Sequence, residues 1–457
     1  MVVMMPDNET KERLDAQRRK IAGATAALYQ LMHKRDKFVP GESKIHYAGR
    51  VFDEREMIAL VNTALDFWLT AGKETASFEK KFARFLDLPS CVLVNSGSSA
   101  NLLAIATLVS QSSGLNIQPG DEAITPALTF PTAVNPLIQQ GLQPVLVDVE
   151  MDTLNLDTRK LAGALSDKTR LIFLPHILGN TAPLNDLLFF AEENGLILVE
   201  DVCEALGTRY KNRLAGTFGL MATFSFYPSH HLSMGEGGAV VTRRETLEPT
   251  LRSIRDWGRS CTCKTCRAET DVASRCPVAK PEPSSGLPED YDRHFTYTNI
   301  GYNLRPTDLQ AAIGLVQMDK VDTFWKKRER NFRFFYDFMS RYSEFFLPPR
   351  SPEGTDPSWF AYPVILEKRI PFKRAGLVEW LRGRGIETRP LLAGNITRQP
   401  AYKQVSFRVP EPLAHADHLM ENGFFLGIYP GLLEEERDYI ATSLEDFLRK
   451  VKKQEGL

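Results

Sequence analysis

Four cysteines, Cys261, Cys263, Cys266 and Cys276, fall within sixteen residues of a chain that has six in all. In a reducing compartment thiolates gathered this closely point to a metal more readily than to disulfides, either a zinc knot or an iron-sulfur centre. A fifth, Cys203, follows the acidic pair Glu200-Asp201. Two adjacent histidines, His230 and His231, close the stretch Phe224-Ser225-Phe226-Tyr227-Pro228-Ser229 and precede Met234-Gly235-Glu236-Gly237-Gly238. Histidine can move protons near neutral pH, although a solitary one is more often structural, and residue type alone does not choose between the two.

These residues need elements to position them. From Cys91 onward, short apolar runs at Val92 to Val94, Val145 to Val149, Leu171 to Leu174 and Leu196 to Val199 alternate with longer helical stretches. Continuous apolar strands with intervening helices predict an α/β fold with a mostly parallel central sheet covered on both faces. The segment Asn95-Ser96-Gly97-Ser98-Ser99-Ala100-Asn101 then joins a buried strand to a helix, where free backbone N–H groups and the helix dipole suit a phosphate. Serine and glycine are also ordinary helix caps, so a purely structural reading competes. Asp201 ends a strand at the carboxyl edge of the sheet, where open α/β folds bind ligands and a carboxylate could hold a protonated pyridine nitrogen. Standing alone, it would read as a structural cap.

Residues Lys11 to Lys34 carry Leu14, Ile21, Ala24, Leu28 and Leu31 at roughly helical spacing, giving a helical arm within 1–45. A large domain at 46–333 would carry the cysteine-bearing insertion around 255–292, with a Pro- and Ser-rich surface loop at Val278 to Asp292. Leu309 to Phe338 is rich in helix formers and leads to a smaller C-terminal α+β domain at 334–457, with a strand near Trp359 to Leu366. Charged residues make up 25% and hydrophobic ones 43%, and the formal net charge of -1 argues against nucleic acid or an anionic membrane surface as partner. The uncharged run Leu88 to Gly120 holds too many Ser and Asn residues to span a bilayer, and the charged N-terminus lacks the apolar stretch of a secretory signal, so the expected compartment is cytoplasmic.

In combination the motifs become specific. The Gly-Ser-Ser turn, the Glu-Asp strand end, the Ser-Phe segment, the Gly-Glu-Gly-Gly hairpin and Gly301-Tyr302-Asn303-Leu304-Arg305 before Gln310-Ala311-Ala312 resemble the DegT/DnrJ/EryC1/StrS sugar aminotransferases. The resemblance runs from about Phe52 into the C-terminal region and implies the type I aminotransferase fold. In that family the residue five positions after the Ser of the Ser-Phe segment is the lysine that binds pyridoxal phosphate covalently. Here it is His230. The surrounding Tyr-Pro-Ser-His-His-Leu-Ser-Met-Gly-Glu-Gly-Gly resembles the CDP-6-deoxy-L-threo-D-glycero-4-hexulose-3-dehydrase branch, a nucleotide-sugar 3-dehydratase group with histidine in that place.

The resemblance implies a non-covalently held pyridoxamine 5'-phosphate (PLP/PMP). It assigns Asp201 to the pyridine nitrogen, Phe130 to stacking on the ring, and Gly97, Ser98, Ser99 and Ser225 to the phosphate. Glu204 would lie near the cofactor's hydroxyl, and Asn303 would reach the neighbouring subunit's phosphate site in a homodimer. His230 would be the base and His231 a packing or hydrogen-bonding neighbour. In the resembling branch a cysteine two positions after the Asp, a Cys-x-Cys pair 57 residues later and a fourth cysteine after seven more hold a 2Fe-2S cluster. Cys203, Cys261 and Cys263 match in register, with 57 residues between the first two. The fourth does not match by forward counting. Counting back from Gly286-Leu287-Pro288 favours Cys276 over Cys266.

The implied activity is dehydration and deoxygenation at C3 of a nucleotide-linked 4-keto-6-deoxyhexose in deoxysugar biosynthesis, such as that of O-antigen lipopolysaccharide. Electrons would arrive through the cluster from a reductase or ferredoxin-type protein. Two alternatives stand beside it: a cluster-free 3-dehydratase regenerated by glutamate, and a non-catalytic, metal-stabilised aminotransferase relative. Arg389, Asn395, Arg398 and Gln399 are candidate substrate contacts. The nucleotide, CDP, GDP or TDP, is left open.

Overall fold

The structure, a computed structural model, describes residues 7–261, 286–288, 291 and 295–456. Its main sheet is built from β1 (Ser90–Val94), β2 (Glu122–Pro126), β3 (Gln143–Val147), β4 (Thr169–Pro175), β5 (Ile197–Asp201), β8 (Met221–Ser225) and β9 (Gly238–Thr242). Two short strands, β6 (Arg209–Tyr210) and β7 (Arg213–Leu214), lie between β5 and β8 and pair with each other outside the main sheet. The order across the main sheet is β1-β9-β8-β5-β4-β2-β3. Only β9 runs antiparallel to its neighbours, and the β8–β5, β5–β4, β4–β2 and β2–β3 pairs are parallel. The expected mostly parallel α/β sheet is therefore present.

Successive side chains of a strand leave opposite faces, and both faces here are apolar. Val92 and Val94 pack with Leu171, Phe173 and Val240 on one face, while Cys91 and Leu93 pack with Phe224, Ala239 and Val241 on the other. Three helices precede or open the sheet, α1 (Asn8–Met32), α2 (Glu54–Asp66) and α3 (Lys73–Leu86). The arm helix α1 starts where the Asp7 carboxylate accepts the Thr10 N–H at 2.8 Å, lies against α2, and buries only Thr25. A fourth helix, α4 (Gly97–Val109), follows β1 directly and is buried along nearly its whole length, as its apolar run Leu102-Leu103-Ala104-Ile105-Ala106 requires.

A second sheet collects the C-terminal strands in the order β10 (Phe346–Leu347), β12 (Ala361–Leu366), β14 (Gly423–Gly427), β13 (Thr388–Pro390), all antiparallel. The two-residue β11 (Thr355–Asp356) instead joins β6 and β7. Phe335, Tyr362, Phe424 and Leu444 form the centre of the core beside the second sheet. The helix-rich stretch from Leu309 resolves into two helices, Asp308–Met318 and Val321–Ser340. They part at Lys320, whose ammonium is drawn to both Glu56 oxygens at 2.5 and 2.7 Å and to Asp53 at 3.0 Å. Of the cysteine-bearing insertion, Cys263, Cys266 and Cys276 lie outside the described residues, as does most of Val278 to Asp292.

Candidate active site

The carboxyl ends of the parallel strands converge on one cavity of about 530 Å³. Ser96, Gly97 and Ser98 enter it from the end of β1, Phe130 from the loop after β2, His176 from β4, Asp201 from β5 and Ser225 from β8. The second sheet closes the far wall with Phe360, Arg389 and Phe425, and Tyr47 adds an aromatic ring.

The floor is a helix N-terminus. The Ser96 hydroxyl accepts the Ser99 N–H at 3.0 Å and contacts the Ser99 hydroxyl at the same distance, so Ser99 serves the cap while Ser98 faces the cavity. Gly97 is required by space: a Cβ there would stand 2.4 Å from the Ser225 Cβ and 3.1 Å from the Cys203 sulfur. The result is a cradle of backbone and hydroxyl groups at the positive end of α4, which suits a phosphate.

Asp201 is 8% exposed and fixed from two sides. Asn101 Nδ2 donates to its Oδ2 at 2.8 Å, and the Cys203 N–H donates to Oδ1 at 3.0 Å. Asn101 is itself oriented by the Thr223 hydroxyl at 2.5 Å. One strand position earlier, Glu200 points to the opposite face, where it accepts N–H groups from Gly216, Phe218 and Gly219 and meets His176 Nε2 at 3.0 Å. Burial raises the Glu200 carboxyl, but His176 and these backbone donors more than offset it and hold the group below the usual range. The two acids thus divide their work: Glu200 organises the sheet end and Asp201 faces the cavity.

Glu204 behaves differently. It accepts one N–H, from Leu178 at 2.9 Å, and burial against the cavity wall, with the charge of Asp201 nearby, pushes its carboxyl up to about 7. Cys203 also lines the cavity, and burial followed by the Asp201 charge pushes its thiol well up.

His230 sits on the connection between β8 and β9, with its exposed part turned to the cavity. Burial holds its imidazole down to about 4, with a backbone contact at Ser225 opposing and the Arg328 charge adding, and its Nδ1 has no hydrogen-bond partner. Nδ1 is buried, whereas the residue as a whole lines the cavity, and an anion bound nearby would raise the basicity of the ring. His231 turns the other way, is 5% exposed, and bonds the Ser358 carbonyl through Nε2 at 2.8 Å.

Gly97, Ser98, Phe130, Asp201, Cys203, Glu204, Ser225 and His230 therefore meet around one cavity. Asn303 does not: it is exposed and paired by its backbone with Asp256. Of the four candidate substrate contacts only Arg389 reaches the cavity, its guanidinium 4.1 Å from the centre of the Tyr47 ring. The other three are committed to local structure. Asn395 and Arg398 bind Asp417, and Gln399 donates to the Ala393 carbonyl at 2.7 Å. Sequence reasoning passed over Asn101, Thr223 and Tyr47. Asn101 stood inside the recognised turn motif, and its place one helical turn beyond Gly97 was the signal available.

The sequence profile of the DegT/DnrJ/EryC1/StrS aminotransferase family matches residues 52–445. The chain belongs to this family. It is 42% identical over 414 residues, 90% of this chain and 88% of the other, to the dTDP-4-dehydro-2,6-dideoxy-D-glucose 3-dehydratase of Saccharopolyspora spinosa. It is also 42% identical over 411 residues, 90% of this chain and 93% of the other, to the lipopolysaccharide biosynthesis protein RfbH of Salmonella typhimurium. Among solved structures, a GDP-4-keto-6-deoxymannose-3-dehydratase with a trapped PLP-glutamate geminal diamine superposes with a TM-score of 0.78 at 31% identity, covering 87% of this chain and 99% of that one. Among the described residues no helix is long and apolar enough to cross a membrane.

Proposed function

We propose that the protein is a PMP-dependent 3-dehydratase of a nucleotide-linked 4-keto-6-deoxyhexose, working in deoxysugar biosynthesis. The observation that carries this reading is His230, which stands where the family's lysine is expected and lines the same cavity as Asp201, Ser98 and Ser225. Pyridoxamine phosphate, when bound, supplies an amine for the substrate's C4 ketone and a ring that can carry an electron pair toward C3 as the hydroxyl leaves.

The chain supplies the rest. Ser98, Ser225 and the N-terminus of α4 would hold the phosphate, with the Ser96 hydroxyl capping the helix behind them. Asp201, oriented by Asn101, would keep the pyridine nitrogen protonated, Phe130 would cover a ring face, and Glu204 would serve the ring hydroxyl. His230 would be the base for the proton of the cofactor's methylene carbon. Arg389 offers positive charge to the nucleotide's diphosphate, and Asn303 serves the neighbouring subunit of a homodimer.

The two electrons needed for the 3-deoxy product have two candidate sources. Glutamate is the one the comparisons support better, since a relative at 31% identity has been trapped with a PLP-glutamate geminal diamine. The balance is then ketosugar plus glutamate giving 3-deoxyketosugar, 2-oxoglutarate and ammonia. The second source is a 2Fe-2S cluster on Cys203, Cys261, Cys263 and Cys276, fed by a reductase or ferredoxin-type protein. It is favoured by the place of Cys203, whose thiol stands beside Gly97 in the cofactor cradle.

Turnover of CDP-, GDP- and TDP-4-keto-6-deoxyhexoses by protein loaded with PMP tests the activity, and no 3-deoxy product from any of them would end the proposal. Glutamate and a reductase are supplied separately, alongside an assay for iron and acid-labile sulfide. Turnover that needs glutamate in iron-free protein supports the first source. Turnover that needs the reductase and is lost in Cys261→Ala supports the second.

A further inference from the structure

Beneath the loop that carries His230 lies a buried cation with no anion beside it. Arg328, on the helix Val321–Ser340, is 1% exposed and makes no salt bridge among the described residues. Arginine is rarely this buried without a carboxylate, because removing its charge from water is costly. Its partners are instead three backbone carbonyls: Nη1 donates to Phe360 at 2.7 Å, and Nη2 to His230 at 3.3 Å and Ser229 at 3.5 Å. Two of these belong to the His230 loop and the third to the residue before β12. The Phe360 ring completes the arrangement, standing edge-on to the His230 ring at 5.5 Å between centroids and 5.8 Å from the guanidinium.

The groups facing His230 from each surrounding element make the missing anion meaningful. Asp201 and Glu204 face the cavity from β5 and its following turn, His176 from β4, Glu236 and Tyr227 from the same loop as His230, and Arg389 from β13. His231 lies behind, tied to Ser358. Among the described residues none of these acids bonds the His230 ring, whereas the Arg328 guanidinium bonds the His230 carbonyl.

We propose that Arg328 is a positioning residue for the base. Its planar fork fixes the loop that places His230 at the cavity, and its uncompensated charge adds to burial in disfavouring the protonated imidazole. The proposal rests on His230 being the base. The same burial brings Arg328 itself down to about 9, still charged at neutral pH. A carboxylate beside Arg328 would cancel its charge and remove the second effect, whereas carbonyls anchor it without doing so.

The test is titration of the His230 ring by NMR in cofactor-free protein with labelled histidine, assigned by its loss in His230→Asn. Arg328→Met should raise the titration midpoint by about one pH unit. Arg328→Lys should leave it low, because the charge stays, yet slow exchange of the PMP methylene hydrogen about tenfold, because lysine lacks the fork. If Arg328→Met does not fold, the lysine variant decides alone. A midpoint that is unchanged in the methionine variant, or wild-type exchange in the lysine variant, overturns the proposal. Its failure is distinct from that of the base assignment, which falls only if His230→Asn exchanges normally.

Discussion

The Asp201 carboxylate is held at 2.8 Å by Asn101, a residue on the first turns of the same helix whose N-terminus lines the cavity. One helix therefore sets two things at once, the proposed phosphate seat at its N-terminus and, through its side chain, the position of the carboxylate. Asn101→Ala should leave Asp201 short of one donor and the Thr223 hydroxyl short of its acceptor. The expected cost is about 1 to 3 kcal/mol of folding stability, with PMP binding weakened about tenfold or more. Denaturant unfolding and a fluorescence titration with PMP measure the two, and unchanged PMP affinity would mean that Asp201 needs no support from α4.

Replacing His230 by asparagine should keep the cofactor while slowing exchange of its methylene hydrogen about 10²- to 10⁴-fold, the usual contribution of a general base. Borohydride should fix no cofactor to the chain, since imidazole forms no lasting imine. Near-normal exchange in the variant would move the base elsewhere, and the buried His231, already bonded to Ser358, would be a poor replacement.

Glu204 gives a pH signature. Its folded carboxyl, at about 7, lies above its ordinary value of 4.5, so the folded state favours the protonated form. The stabilising contribution is complete below about pH 4.5 and is lost as pH rises through about 7. Glu204→Gln should match the wild type in thermal midpoint near pH 5 and exceed it above pH 7 by about one to three degrees. A difference independent of pH, or a wild type more stable at high pH, would show that Glu204 ionises at its ordinary value.

Much of this site was legible because the chemistry follows strand ends. The runs Val92 to Val94, Leu171 to Leu174 and Leu196 to Val199 are apolar throughout, and the structure places the first in β1, the second in β4 and the third, from Ile197 on, in β5. Ser98 and Asp201 could then be placed near the sheet's carboxyl edge, while Ser225 came from resemblance. Phe130, Glu204 and the choice of His230 over His231 came from resemblance, since no local rule makes an aromatic a stacking partner. Asn395, Arg398 and Gln399 misled because their types suit an anionic substrate equally well as a framework. Only coordinates reveal that Asp417 and the Ala393 carbonyl already occupy them. Arg328 was invisible, since nothing in a charged helical stretch marks which arginine turns inward onto backbone carbonyls.

The connection between β8 and β9, residues 226–237, starts and ends at a fixed point, because Ser225 pairs with Gly238 in the sheet. A change of residue type at His230 therefore falls on a segment between two paired strand ends, whereas Ser98 and Asp201 belong to the sheet and the helix that follows β1. The segment is itself anchored in the core by Phe226, Leu232 and Met234, so a substitution at His230 leaves its course fixed. Arg328 ties that segment through main-chain carbonyls, which every residue type provides, alongside the bonds between His231 and Ser358, Ser233 and Gln317, and Glu236 and Gln310.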